Sequence, residues 1–367
     1  MKERFVMSES NIQLPSPIID AKEDNSMKVL CERYEKLIEP GLLAKAGNKI
    51  GTVIPQSIKK AGKIAKDAVT EQEFYAQCMK IAAKGFSTLE KQAAKLTVSE
   101  NTIVKKINDA SKDVNITSID EVCLARSYDI SKLVNKYKTQ DLVLAFAEGG
   151  GTGFFGFKGL PLNLVLSTFL YYRAVQSVAM YYGYDVKNDP AELVIASDVF
   201  INALSPNSQG KNEVTGIIGK IMLMSEVTTI KQLSKKTWTE MAKRGGIALL
   251  ICQMRALANK AAQKALEKAG QKGLEESLFK GVFEQIGKAL TKKALGKAVP
   301  VAGAVVGALF DASQMSTILE YADVFYNKRY LIEKEARINT LIGVSAPIDS
   351  IVVDVSEDDI VSDGDED

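Results

Sequence analysis

Apolar positions along this chain recur at helical rather than strand spacing. Over residues 56–98, "QSIKKAGKIAKDAVTEQEFYAQCMKIAAKGFSTLEKQAAKLTV", Ala, Lys and Glu dominate. Ile58, Ala61, Ala65 and Ala68 share one face, and Lys59, Lys63 and Lys66 share another. Met27 to Glu39 predicts a short helix that Pro40-Gly41 ends. Ser118 to Asp120 and Ser131 read as capping starts, and Asp189-Pro190 opens a helix with proline in its first turn. Leu142 to Gly183 is the most apolar stretch, charged only at Glu148, Lys158 and Arg173. Residues 211–298 are helical in composition, with breaks expected at Gly245-Gly246 and Gly270, and a closing helix is expected from Asp311 to about Ala336. The one clean strand pattern, "IVVDV", lies at 351–355. The pattern predicts an all-α multi-helix bundle. Its expected divisions are an unordered lead-in (1–27), basic amphipathic helices (28–117), a helical core (118–336) and an acidic tail (337–367).

"EGGGTGFFGFKGLP", residues 148–161, permits two readings. Gly151, Gly153 and Gly156 have the G-x-G-x-x-G spacing of a dinucleotide loop. That loop needs a second strand carrying an acid, and here Pro161 and a long helix follow instead. Read as a helix, Gly149 and Gly153 form a G-x-x-x-G pair, matched by Gly303 and Gly307 in "VAGAVVG". Small residues four apart let another backbone approach closely, in lipid or in a dense core, and this offsets the roughly 1 kcal/mol that glycine costs in a helix. The second reading is preferred, and it makes these glycines packing residues.

Charge and composition narrow the chemistry. Net charge is only +2, but residues 354–367, "DVSEDDIVSDGDED", hold eight acids and no base. The rest of the chain carries 37 acids against 47 bases, near +10, which points to an anionic partner or a tail that competes with one. There is no histidine, which removes histidine-based nucleophile pairs, metal ligands and general bases. Cys31, Cys78, Cys123 and Cys252 are scattered, without a C-x-x-C pair, as in a reducing cytosol. The first residues show no apolar signal-peptide core, and no uncharged apolar run reaches the roughly 18 residues of a spanning helix. No catalytic, cofactor or metal site is therefore expected.

Two polar features remain. Asn163, Ser167, Arg173 and Gln176 fall on one stripe after Pro161, and a buried arginine needs a partner; Glu148 is the nearest acid in sequence, with Asp185 further on. A structural ion pair is the preferred meaning and a ligand site the rival. Lys260, Lys264, Lys268 and Lys272 repeat every four residues on an Ala-rich helix. They read as a solvated face or, beside Lys59, Lys63 and Lys66, as contacts to anionic lipid. Nucleic acid is not expected as a partner, because no aromatic residues interleave with the lysines.

Several stretches in order resemble the EcsC family of bacterial proteins. They are "ARSYDI" (125–130), "AEGGGTGFFGFKGLPLNLVL", "RAVQSVAMYYGYD" (173–185) and "KALGKAVPVAGAVVGALFD" followed by "ADVFYNKRYL", together spanning roughly residues 60–335. The matching positions are Glu148, Gly153, Gly156, Gly159, Pro161, Arg173, Tyr182, Gly183, Tyr184, Asp185, Pro300, Gly303 and Gly307. Where the family often has Asp-(Ile/Leu)-Pro, this chain has Asn163-Leu164-Val165, so a role that needs a carboxylate there is not supported. The family is named for a protein encoded beside an ABC transporter. The resemblance implies a hydrophobic, membrane-associated helical protein without an established activity. The expectation is a cytoplasmic, non-enzymatic protein on an anionic membrane surface or membrane complex. A helical scaffold is the alternative, and an enzyme whose pocket holds Glu148, Arg173 and Asp185 is the third class.

Overall fold

The computed structural model describes residues 12–38, 98–111, 114–141, 160–204, 213–224, 246–269, 273–295 and 312–348. These form nine α-helices and no strand. They are α1 (Ala21–Ile38), α2 (Glu100–Ala110), α3 (Ser127–Lys136), α4 (Leu160–Tyr181), α5 (Pro190–Leu204), α6 (Glu213–Met222), α7 (Ile247–Ala269), α8 (Leu274–Leu295) and α9 (Ala312–Leu341). A 3₁₀ turn (Asp120–Leu124) precedes α3 and a π turn (Tyr137–Asp141) follows it. The fold is all-α.

Local chemistry sets the helix ends. Asp189 Oδ1 accepts from Ala191 N at 2.9 Å and Glu192 N at 3.4 Å, so Asp189 caps α5 with Pro190 as its first residue. Gly246, at φ +86°, allows the chain to turn sharply into α7. Two expected starts need correction. Helix α1 begins at Ala21 rather than Met27, because Asp20 and Glu23 form a reciprocal capping box: Glu23 N donates to Asp20 Oδ1 at 2.8 Å and Asp20 N to Glu23 Oε2 at 3.3 Å. The end of the expected unordered lead-in is thus helical. Ser131 lies inside α3, which starts at Ser127. The strand expected at 351–355 lies outside the described residues.

Two helices organise the packing. Helix α9 touches α1, α3, the 3₁₀ turn, α4, α5 and α6, while α5 touches α4, α6, α7, α8 and α9. One apolar cluster draws side chains from all nine helices, from Met27 and Leu30 of α1 to Ala336 and Ile338 of α9. Residues of α1 and α2, before 118, pack into this same cluster. From Thr168 to Tyr181, α4 is buried apart from Leu170 and Arg173, which are half-buried. Among the described residues, no helix is long and apolar enough to cross a membrane.

A buried charge column and an adjoining cleft

Helix α9 is central although its sequence, "ASQMSTILEYADVFYNKRYLIEKEARINTL", carries eight charged residues from Glu320 to Arg337. From Ile318 to Glu333 almost every side chain, polar or apolar, is buried. Such burial requires a specific partner for each charge. Near its start, Arg33 of α1 reaches Glu320 and Asp323, each at 2.6 Å. Lys138 reaches the same two at 3.1 Å, and the Tyr182 hydroxyl donates to Asp323 at 2.7 Å. In the middle, Arg329 forks onto both carboxylate oxygens of Glu192 (2.6 and 2.7 Å) and pairs with Glu333 at 2.7 Å. Arg255 of α7 closes on Glu192 from the other side and reaches Asp189 at 2.9 Å. Further along, Lys334 donates to Glu23 (2.7 Å) and Ala125 O (2.9 Å), while Arg337 donates to Tyr182 O (2.9 Å) and Gly183 O (2.7 Å).

Electrostatics follow from this geometry. Burial pushes Glu192 upward, but Arg329 and Arg255 outweigh it and hold its carboxyl below the ordinary glutamate range. Glu320 behaves alike, with Arg33 and Lys138 overcoming burial. Burial lowers Lys328 to about 8, although its ammonium donates to Met222 O and to Met224 O at 2.8 Å. Burial lowers Lys334 too, and Glu23 offsets this only in part.

Gly183 locks the turn after α4. It sits at φ +78°, and a Cβ there would lie 2.5 Å from Arg337 Nη2, 2.8 Å from Val122 Cβ and 3.0 Å from Ile119 O. Only glycine fits this conformation and this space. Past it, Asp185 Oδ1 accepts from Lys187 N (3.0 Å) and Asn188 N (3.2 Å), and Oδ2 from Asn188 Nδ2 (2.7 Å). The Asp185 carboxylate thus shapes the loop that leads into α5.

This loop borders an open cleft of about 460 Å³, lined also by Arg173 of α4, Leu193 of α5, Leu266 of α7 and Leu274 and Glu275 of α8. Arg173 Nη2 pairs with Glu275 at 2.6 Å and Nη1 donates to Gln176 at 2.9 Å, while its buried Nε has no partner. The acid that Arg173 meets is therefore remote in sequence, and Glu148 lies outside the described residues. Asp185 does not line the cleft. Pro161 and Asn163 lie in the first turn of α4. Lys260, Lys264 and Lys268 lie on α7, the last two fully on its exposed side. Lys59, Lys63, Lys66, Gly149, Gly153, Gly156, Gly159, Lys272, Pro300, Gly303 and Gly307 lie outside the described residues. Among the described residues, no cluster of Cys, Asp and Glu could hold a metal ion, and Cys31, Cys123 and Cys252 are buried and form no disulfide.

The model of the EcsC protein family matches residues 22–331, from the first turn of α1 to the Arg329 region of α9. The chain belongs to the EcsC family. No curated protein and no solved structure matches it. The match reaches further towards the N-terminus than the resemblance seen in sequence, so α1 belongs to the EcsC unit, in keeping with its ion pairs to α9.

The charge column is not legible in the sequence, which singles out Arg173 and Asp185, and Asp189 and Glu192 only as helix-start acids, but not Glu23, Glu320 or the α9 charges. One local signal was available: Asp20-x-x-Glu23 is a capping-box pattern. The buried pairs had none, since Glu192 and Arg329 are 137 residues apart and Glu23 and Lys334 are 311 apart.

Proposed function

We propose that this EcsC protein is non-enzymatic and docks reversibly on an anionic membrane surface or a membrane protein complex from the cytoplasmic side. The supporting observation is the second half of α7. Its first half is core, with Ile251, Met254, Leu257, Ala258 and Ala262 buried, but Gln263, Lys264, Leu266, Glu267 and Lys268 are all exposed. A helix end that leaves the core with lysines one turn apart suits an anionic surface, where each lysine contributes about 1 kcal/mol. The Gly-x-x-x-Gly segments would add apolar contact. The buried charges of α9 serve this reading as scaffold: Glu320, Asp323, Arg329, Glu333 and Lys334 are held by opposite charges, and Lys328 and Arg337 by backbone carbonyls.

Flotation with anionic and neutral liposomes, at low and high salt, tests it. Binding to anionic vesicles that persists in part at high salt is expected, with binding at low salt greatly reduced in K264E/K268E. No flotation under any condition sinks the proposal and leaves a soluble helical scaffold. That second reading is favoured by the burial of α4 from Thr168 to Tyr181, which commits this long apolar helix to the core.

A further inference from the structure

We infer that the cleft beside Arg173 binds an amphiphile with one anionic phosphate or carboxylate head and a short apolar tail. Its size lies within the range of small-molecule sites. Four charged side chains line it: Arg173, Lys187, Asp189 and Glu275. Asp189 is engaged twice over, by Arg255 at 2.9 Å and as the cap of α5. Glu275 is engaged by Arg173. Lys187 is exposed and makes no ion pair among the described residues. Lys187 is thus the lining charge without an opposite partner among the described residues, and it supplies the contact for one anionic head.

Arg173 is built to receive that head. Its side chain is only 12% exposed, yet one of its three nitrogens has no hydrogen-bond partner. Its acid, Glu275, is 38% exposed in the first turn of the 22-residue α8. A carboxylate so open to water can swing out and leave Nη2 to a phosphate or carboxylate, which guanidinium binds strongly. The start of α8 adds its dipole to the same end.

The walls supply the tail contact. Along α7, Met254, Ala258 and Ala262 form a buried stripe at four-residue steps. The next step, Leu266, is 46% exposed and lines the cleft together with Val186 and Leu193. The core-facing stripe thus runs past the edge of the core and ends uncovered over the cleft. Lys264 and Lys268 lie two residues to either side of Leu266, on the opposite face of α7. The cleft is therefore distinct from the lysine face proposed for docking.

Calorimetric titration of the full chain with hexyl phosphate, hexanol and inorganic phosphate tests the inference. Hexyl phosphate is expected to bind. Inorganic phosphate should bind at least about tenfold more weakly, since each fully buried methylene contributes about fourfold. K187E and L266D, both at exposed positions, should each weaken hexyl phosphate about tenfold or more with the melting temperature retained, and K264E should not. No binding by the wild type, wild-type affinity in both variants, or equal affinity for phosphate and hexyl phosphate would each overturn it. Flotation of L266D on vesicles containing phosphatidic acid then identifies the source of the ligand. Reduced flotation marks a lipid, and unchanged flotation with lost hexyl phosphate binding marks a soluble amphiphile. Because the titration uses no membrane and K264E/K268E leaves the cleft intact, this inference and the docking proposal fail separately.

Discussion

Glu192 shows how a single residue sustains a buried arginine. Its carboxylate holds Arg329, which is fully buried, and also receives Arg255. Replacing it by Gln keeps the shape but leaves Arg329 with only Glu333 to oppose its charge. Removing one partner of a buried pair costs about 3–5 kcal/mol, so E192Q should lose stability of that order in urea unfolding at pH 7. The sign of the pH effect follows from the lowered pKa. In the unfolded chain Glu192 titrates near about 4.3. Its stabilisation is complete above that value and is lost as pH falls through the lower, folded-state value. Wild type and E192Q should therefore converge in stability as pH falls through and below this range. A constant gap down to pH 3 would show that the lost stability at pH 7 comes from shape rather than charge.

Helices differ in how much of their role their own sequences reveal. The starts of α5 and α7 are legible because Asp189-Pro190 and Gly246 act locally. The place of α9 is not legible, because charged and apolar residues occur all round it and no stripe distinguishes a buried face. What permits its burial lies on helices that only the fold brings near, such as Glu192, Arg33 and Glu23. The cleft was half legible: Arg173 stood out as a lone charge, but its partner Glu275 is 102 residues away. The glycine segments that carried most of the sequence argument lie outside the described residues. Helix α1 illustrates the tertiary dependence. It docks through Glu23, which caps its own helix and accepts from Lys334 (2.7 Å), Ser127 N (2.8 Å) and Arg126 (3.0 Å). E23A should cost about 3–5 kcal/mol by stranding Lys334 and speed amide exchange along α1. A double replacement, Glu23→Leu with Lys334→Met, should recover part of that loss, since an apolar pair needs no counter-charge. If the double variant is as unstable as E23A, the contacts of Glu23 to Ser127 and Arg126 carry the docking instead.

At the scale of the whole chain, charge separation is the feature that the fold leaves for function. The bases before residue 354 exceed the acids by about ten, and among the described residues Lys264 and Lys268 are exposed at the end of α7. The segment 354–367 holds eight acids, and its fourteen residues span at most about 50 Å when extended. Such a segment competes with an anionic surface for exposed lysines, and the competition weakens once salt shortens the screening length to a few Å. Deleting 354–367 should therefore raise affinity for anionic vesicles at low salt by about tenfold, roughly the effect of freeing one or two lysines. The gain should shrink at high salt, and it should be absent on neutral vesicles. Combining the deletion with K264E/K268E locates the effect. If the gain disappears, the tail competes for the exposed end of α7. If it persists, the tail covers a different basic face, and the docking surface must be sought away from α7. Unchanged vesicle binding at low salt would show that the tail screens none of these lysines.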